Sequence, residues 1–143
     1  MKKELREDKK AKTKAFFFKK ESSVFNKKLI NFLKSYYKKN KKDIRICMHR
    51  DSSDQHHDMV LLQKKKDFYK PWYENRKMGT FPHKHLKKGE TYHLIKGKMA
   101  CVVFKNNGKI RSVFKLNPND IFRTPINVYH TQIPLSEYVI YHE

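Results

Sequence analysis

Gly79-Thr80-Phe81-Pro82-His83-Lys84-His85-Leu86-Lys87-Lys88-Gly89-Glu90-Thr91-Tyr92-His93-Leu94-Ile95-Lys96-Gly97 is the stretch whose reading decides the fold. His83 and His85 are two residues apart, and alternate side chains of a β-strand face the same side. Both imidazoles can therefore enter one pocket. A turn at Lys87-Lys88-Gly89 brings the chain back on a neighbouring strand that starts with Glu90. Two imidazoles and a carboxylate that meet in this way leave coordination positions open and suit a divalent transition metal. His93, three residues after Glu90, falls on the opposite side of the same strand.

The spacing H-x-H-x4-E-x6-G, carried here by His83, His85, Glu90 and Gly97, resembles the first metal motif of the cupin superfamily. Pro125-Ile126-Asn127-Val128-Tyr129-His130 resembles the second motif, P-x-G-x2-H, with Asn127 where the turn glycine usually stands. Asn tolerates positive φ better than most residues. The resemblance implies that His130 is the fourth ligand, completing a site of three His and one Glu. It also implies one divalent transition metal, either Fe, Mn, Ni or Zn.

Further residues narrow the resemblance to the WbuC-type cupin metalloproteins, which are associated with bacterial surface-polysaccharide (O-antigen) synthesis. Arg45 and His49, on a strand that follows a helix, match that family's Arg-x3-His. Pro82-His83-Lys84-His85 matches its Pro-His-x-His, Lys88-x-Glu90 its Lys-x-Glu, and His130-Thr131 its final His-Thr. The similarity covers roughly residues 25–143. Two features depart from it: a long connection at residues 64–77 holding the only tryptophan, Trp72, and a chain that stops at Glu143 without the usual Lys-Pro-Gly-Pro tail. The connection either overhangs the cavity mouth or covers a sheet edge.

The 143 residues fit one domain with its own core. The net charge is +20, from 34 Lys and Arg against 14 Asp and Glu. Residues 1–43 hold 16 basic and 5 acidic side chains, a net +11, so more than half the excess lies outside the motifs. Lys outnumbers Arg 28 to 6, whereas Arg is the preferred reader of phosphates and base edges. With no helix-turn-helix, zinc-finger or RNA-binding signature, a nucleic-acid partner is not expected. A solvated Lys-rich surface, or attraction of an anionic small molecule such as a sugar nucleotide, fits better. Cys47 and Cys101 lack metal or redox spacing, and Cys101 lies in the apolar run 99–104. With no long apolar run and no leader pattern, the expected location is cytoplasmic.

Three sections follow in order. Residues 1–21 are a basic arm, expected to be partly disordered, in which Ala15-Phe16-Phe17-Phe18 is a short strand able to pair with a sheet edge or a second subunit. That arm invites a homodimer. Residues 22–43 contain a helix over 22–39, capped by Ser22 or Ser23, with Phe25, Leu29, Phe32, Leu33 and Tyr36 on one apolar stripe. Residues 44–143 form the barrel: short strands punctuated by turns at Asn106-Asn107-Gly108, Asn117-Pro118-Asn119-Asp120 and Pro125-Ile126-Asn127. The expected fold is a mainly β cupin jelly roll preceded by an amphipathic helix.

Three activities fit the site. The first is a metal-dependent isomerase- or epimerase-like enzyme on a sugar or sugar nucleotide, with Arg45 anchoring an anionic group and His49 or a Tyr moving a proton. The second is an iron-dependent dioxygenase of a small molecule. The third is a non-catalytic metal- or sugar-binding module. The ligands alone do not choose among them. His49 can line the cavity, His56 and His57 belong to a solvated loop, and His142 reads as an edge residue.

Overall fold

The computed structural model describes residues 4–20, 24–51, 53–54, 56–65 and 82–143. The chain is mainly β. In order, its elements are β1 (Leu5–Asp8), β2 (Lys14–Phe18), α1 (Lys27–Asn40), β3 (Ile44–Cys47), β4 (Met59–Lys64), β5 (Glu90–Lys96), β6 (Met99–Phe104), β7 (Ile110–Leu116), β8 (Ile121–Thr124), β9 (His130–Pro134) and β10 (Tyr138–His142).

Two sheets result, ordered β1-β2-β3-β4-β10-β5-β8 and β7-β6-β9. His83 extends the second sheet by an isolated antiparallel bridge to His130. Counting from β4, with His83 as the second segment, the two layers read first-eighth-third-sixth and second-seventh-fourth-fifth. That alternation is the eight-stranded jelly roll, the architecture that cupins share.

The strand faces follow from side-chain alternation. Val139 and Tyr141 point inward with Tyr92, Leu94, Met99, Cys101 and Leu116, and these fill the barrel. Ile140 points outward and joins Ile44, Ile46, Val60 and Leu62 beneath Leu29, Leu33 and Tyr37 of α1. The helix thus covers the outer face of the large sheet, and its Leu33 is fully buried.

α1 begins later than the expected residue 22. Its N-cap is Asn26, whose side chain accepts hydrogen bonds from the Lys28 and Leu29 amides. Asn caps as well as Ser does. Phe25 and Ile30, the two positions of a hydrophobic staple, both pack on the core beneath the helix. Ser22 and Ser23 lie outside the described residues. Phe25, Leu29, Phe32, Leu33 and Tyr36 pack on the core as read; Tyr37 joins them as a buried residue, and its hydroxyl donates to Glu137 at 3.1 Å.

The Ala15-Phe16-Phe17-Phe18 strand of the arm forms as read, within β2, and adds to the sheet edge at β3. Residues 5–8 pair antiparallel with β2, and β2 pairs parallel with β3 of the same chain. The Phe-rich β2 supplies Ala15 and Phe17 to a small cluster with Cys47, which fixes the hairpin to the barrel. Residues 66–77, most of the long connection, lie outside the described residues.

The Asn106-Asn107-Gly108 turn forms as read, with Gly108 at φ +81°. Between β5 and β6 the chain turns at Gly97, where φ is +92° and a Cβ would sit 2.7 Å from the Tyr138 carbonyl oxygen. Gly97→Ala is expected to lower the unfolding free energy by about 1–3 kcal/mol, the cost of holding a side chain in a sparsely populated conformation. Urea denaturation checks this, and an unchanged midpoint would contradict it.

Candidate metal centre

The strand register converts the spacing of the motif into a site. His83 exchanges both backbone hydrogen bonds with His130, at 3.0 and 2.9 Å. The His85 carbonyl accepts the Asn127 amide at 2.8 Å, and Asn127 holds φ +60°. Asn127 therefore performs the turn role read from the second motif. Glu90 enters from the other sheet. Gly89 lets it do so, since a Cβ there would stand 2.7 Å from the Thr124 carbonyl oxygen.

His83, His85, Glu90 and His130 each offer one ligand atom, and these four atoms lie within 4.8 Å of one another. Glu90 Oε2 is 2.8 Å from His130 Nε2 and 3.9 Å from His83 Nε2, while Oε1 is 2.5 Å from His85 Nε2. The Tyr92 hydroxyl donates to Oε2 as well. His130 is almost fully buried, and its Nδ1 donates to the Val128 carbonyl at 2.8 Å. That bond fixes the ring and turns Nε2 toward the other ligands, the usual orienting device for a metal-bound imidazole.

His85 Nε2 is the observation that tests the fit. It is buried and makes no aligned hydrogen bond, although Glu90 Oε1 is near. A lone pair and a carboxylate oxygen aimed at one point, without a shared proton in line, suit a cation between them. The donor set and its convergence therefore fit a divalent transition metal.

Electrostatics reinforce the convergence. Burial pushes the Glu90 carboxyl up, but hydrogen bonds from His130 and Tyr92 and the charge of His85 and His130 outweigh it and hold the group at about 2. Burial lowers His85, with Glu90 opposing and the neighbouring cations assisting. His130 is also pulled down by burial, yet its bonds to Glu90 and the Val128 carbonyl raise it overall.

The two residues expected to act in catalysis lie on β3 and just after it. Arg45 lies opposite Ala15 and Leu61 in the ladder, so it shares the inward face of the large sheet, and its Nε is buried without a partner. His49 follows β3; its Nδ1 is 3.1 Å from the Asp58 amide, and its ring stacks on His57 at 5.0 Å and meets the edge of Phe17 at 5.3 Å. His56 and His57 are both exposed, as read, and the His57 ring stacks on His49. His93 stands outside the metal group. His142 is not at an edge: β10 runs between β4 and β5, and His142 pairs with Asp58 at 2.5 Å.

Two residues of the pocket were not read from sequence. Tyr92, two places after Glu90, follows the same alternation and was within reach of that rule. Glu143 was not, because only the register reveals it. It exchanges both backbone hydrogen bonds with Met59 and falls on the face of Tyr141. Burial, aided by the charge of Glu90 and opposed by Arg45, raises its carboxyl to about 7. Both thiols are buried and held protonated, Cys47 at about 11 and Cys101 at about 12, so neither is an activated nucleophile.

No protein-family model matches the chain, and no curated protein does. Among solved structures, KdgF from Halomonas sp. matches at a TM-score of 0.48 and 14% identity, over 70% of this chain and 74% of that one. Lactobacillus farciminis oxalate decarboxylase, in a formate complex, matches at 0.44 and 18% identity, over 61% and 22%. Bacillus subtilis oxalate decarboxylase, a protein with Mn(II) centres, matches at 0.43 and 17% identity, over 60% and 20%. The chain spans about a fifth of the length of these decarboxylases. The metal assignment stands on the donor geometry alone.

Two outcomes follow from this geometry. Tyr92→Phe removes a donor to Glu90 and should weaken metal binding by about tenfold or more, measured by competition with a chelating dye. Glu90 is depressed from 4.5 to about 2, so its contribution to the metal-free fold is present above 4.5 and lost as pH falls toward 2. The stability gap between wild type and Glu90→Gln should accordingly narrow over that window in chemical denaturation.

Proposed function

We propose that the chain is a metal-dependent enzyme of small molecules, acting on a sugar or sugar nucleotide in bacterial surface-polysaccharide biosynthesis. One observation carries the metal part: four ligand atoms from two sheets converge within 4.8 Å around a buried His85 Nε2 that no protein group satisfies. The motif resemblance of Arg45, His49, His83, His85, Glu90 and His130 supports the pathway and the substrate class.

His83, His85, Glu90 and His130 would hold the ion. A bound divalent metal supplies Lewis acidity toward a carbonyl or enediol oxygen. Arg45 contributes a buried, unpartnered guanidinium N–H on the inward face, suited to anchoring a carboxylate or phosphate. His49 is held in one orientation by the Asp58 backbone and the His57 ring, as a proton-carrying group requires. Tyr92, whose hydroxyl donates to Glu90, and Glu143, on the face of Tyr141, are further inward-facing groups able to carry a proton.

Elemental analysis of the purified protein beside His83→Ala tests the centre. About one equivalent of metal is expected in the wild type, with loss in the variant. Full metal content in His83→Ala would sink the assignment. Turnover without dioxygen on Zn or Mn is expected for the isomerase- or epimerase-like reaction. Iron with substrate-dependent oxygen consumption would replace it with a dioxygenase.

A further inference from the structure

His49 lines a pair of cavities. The two adjoin and share Met48, His49 and Arg50. The smaller, about 210 Å³, is further lined by Arg6, Phe18, Lys19, Lys20 and Asp51. The larger, about 410 Å³, extends past Asp54, His56 and Asp58. None of the four metal ligands lines either one. Together they form a concave groove on the scale of small-molecule sites.

Among the described residues the lining carries four cationic side chains, Arg6, Lys19, Lys20 and Arg50, against three carboxylates. Asp51 accepts the Ser53 amide and hydroxyl at 2.9 and 2.6 Å. Asp54 accepts the Arg50 amide at 3.1 Å and Nε at 3.4 Å. Asp58 is paired with His142. Among the described residues, no ion pair involves Arg6 or Lys20.

Arg6 is also held in place. It stands opposite Phe17 in the β1–β2 ladder, its guanidinium lies 4.7 Å over the Phe17 ring, and its Nη2 donates to the Arg50 carbonyl. A guanidinium fixed by a ring and a carbonyl keeps its other N–H groups for a ligand and loses little entropy on binding. Lys19 and Lys20 follow the end of β2, where the Lys19 amide bonds to the Glu4 carbonyl at 2.9 Å and prolongs the ladder.

We propose that this groove binds the phosphate or diphosphate group of a phosphorylated small molecule, with Arg6 as its fixed anchor and Lys20 as a flanking cation. The planar Arg6 fork with the Lys20 ammonium matches an anion with several acceptor oxygens. A small concave groove suits such a ligand, whereas a nucleic-acid strand calls for an extended basic track. His49 forms the floor and stacks on His57, which feels the charge of Lys88 two residues before Glu90. That the same molecule reaches the metal pocket rests on the function proposed above; the groove itself does not.

Titration calorimetry of the full chain with inorganic pyrophosphate tests the site, on protein as purified and again after chelation. Arg6→Gln should weaken binding by at least about tenfold, the loss of a charged hydrogen-bonding anchor. Arg6→Lys should keep most of that loss, because the charge stays and the fork goes. Lys105→Ala/Lys109→Ala, which removes two charges from the distant β6–β7 hairpin, should change affinity less than about twofold. Binding unaffected by Arg6→Gln, or weakened as much by the hairpin variant, would overturn the site. Binding that vanishes on chelation would also overturn it, by placing the anion at the metal. Failure of His83→Ala to lose metal would leave the groove standing. Should circular dichroism show Arg6→Gln unfolded, Lys20→Ala decides in its place, with a several-fold weakening expected.

Discussion

Glu90 is the only acid among the four residues that converge at the centre, and it ties the two sheets together. It belongs to β5 in the large sheet, while His130 and the bridged His83 belong to the small one. One carboxylate oxygen serves His130 and Tyr92, and the other faces His85. Remove that carboxylate and three imidazoles face each other with nothing to compensate them. The rest of the centre is arranged so that the carboxylate arrives: a glycine that permits the close pass, an asparagine turn that returns the chain, and a backbone carbonyl that sets the His130 ring. These are the features of a preorganised site, in which the fold meets the cost of gathering like groups before any ligand does.

Part of this centre was legible in the sequence from a local rule, and His130 from the resemblance of residues 125–130 to a known motif. Alternation along a strand puts His83 with His85 and separates Glu90 from His93. The tolerance of Asn for positive φ lets Asn127 stand where a glycine is usual, and it holds φ +60°. The strands were legible for the same reason, since Ile110 to Leu116 and its neighbours are bounded by turn residues with their own backbone preferences. The start of α1 was less so, because Asn26 and the serines before it are equivalent caps and tertiary packing of Phe25 chooses between them.

What depends on register was not legible. Glu143 meets Met59, and His142 sits in mid-sheet, only because β10 lies between β4 and β5. No sequence spacing encodes that adjacency. The β1 strand, Leu-Arg-Glu-Asp, has poor β-propensity and three charges in four residues, so by composition it reads as a frayed tail. It is a strand because β2 beside it is rich in Phe and needs cover. The groove at Arg6 escaped notice for the same reason: its walls come from three segments that only pairing brings together.

The place of β10 also shapes how the molecule must come into being. β4 and β5 precede it by many residues, yet the two are not paired with each other; each pairs with β10, which lies between them. During synthesis both therefore present open, apolar strand edges for as long as it takes to make the intervening chain. Folding dominated by such distant pairings is slow, and such edges invite association with other nascent chains. The lysines spread over the arm and helix then acquire a role unrelated to any ligand. They precede the barrel in the chain, and their mutual repulsion opposes the association of such edges.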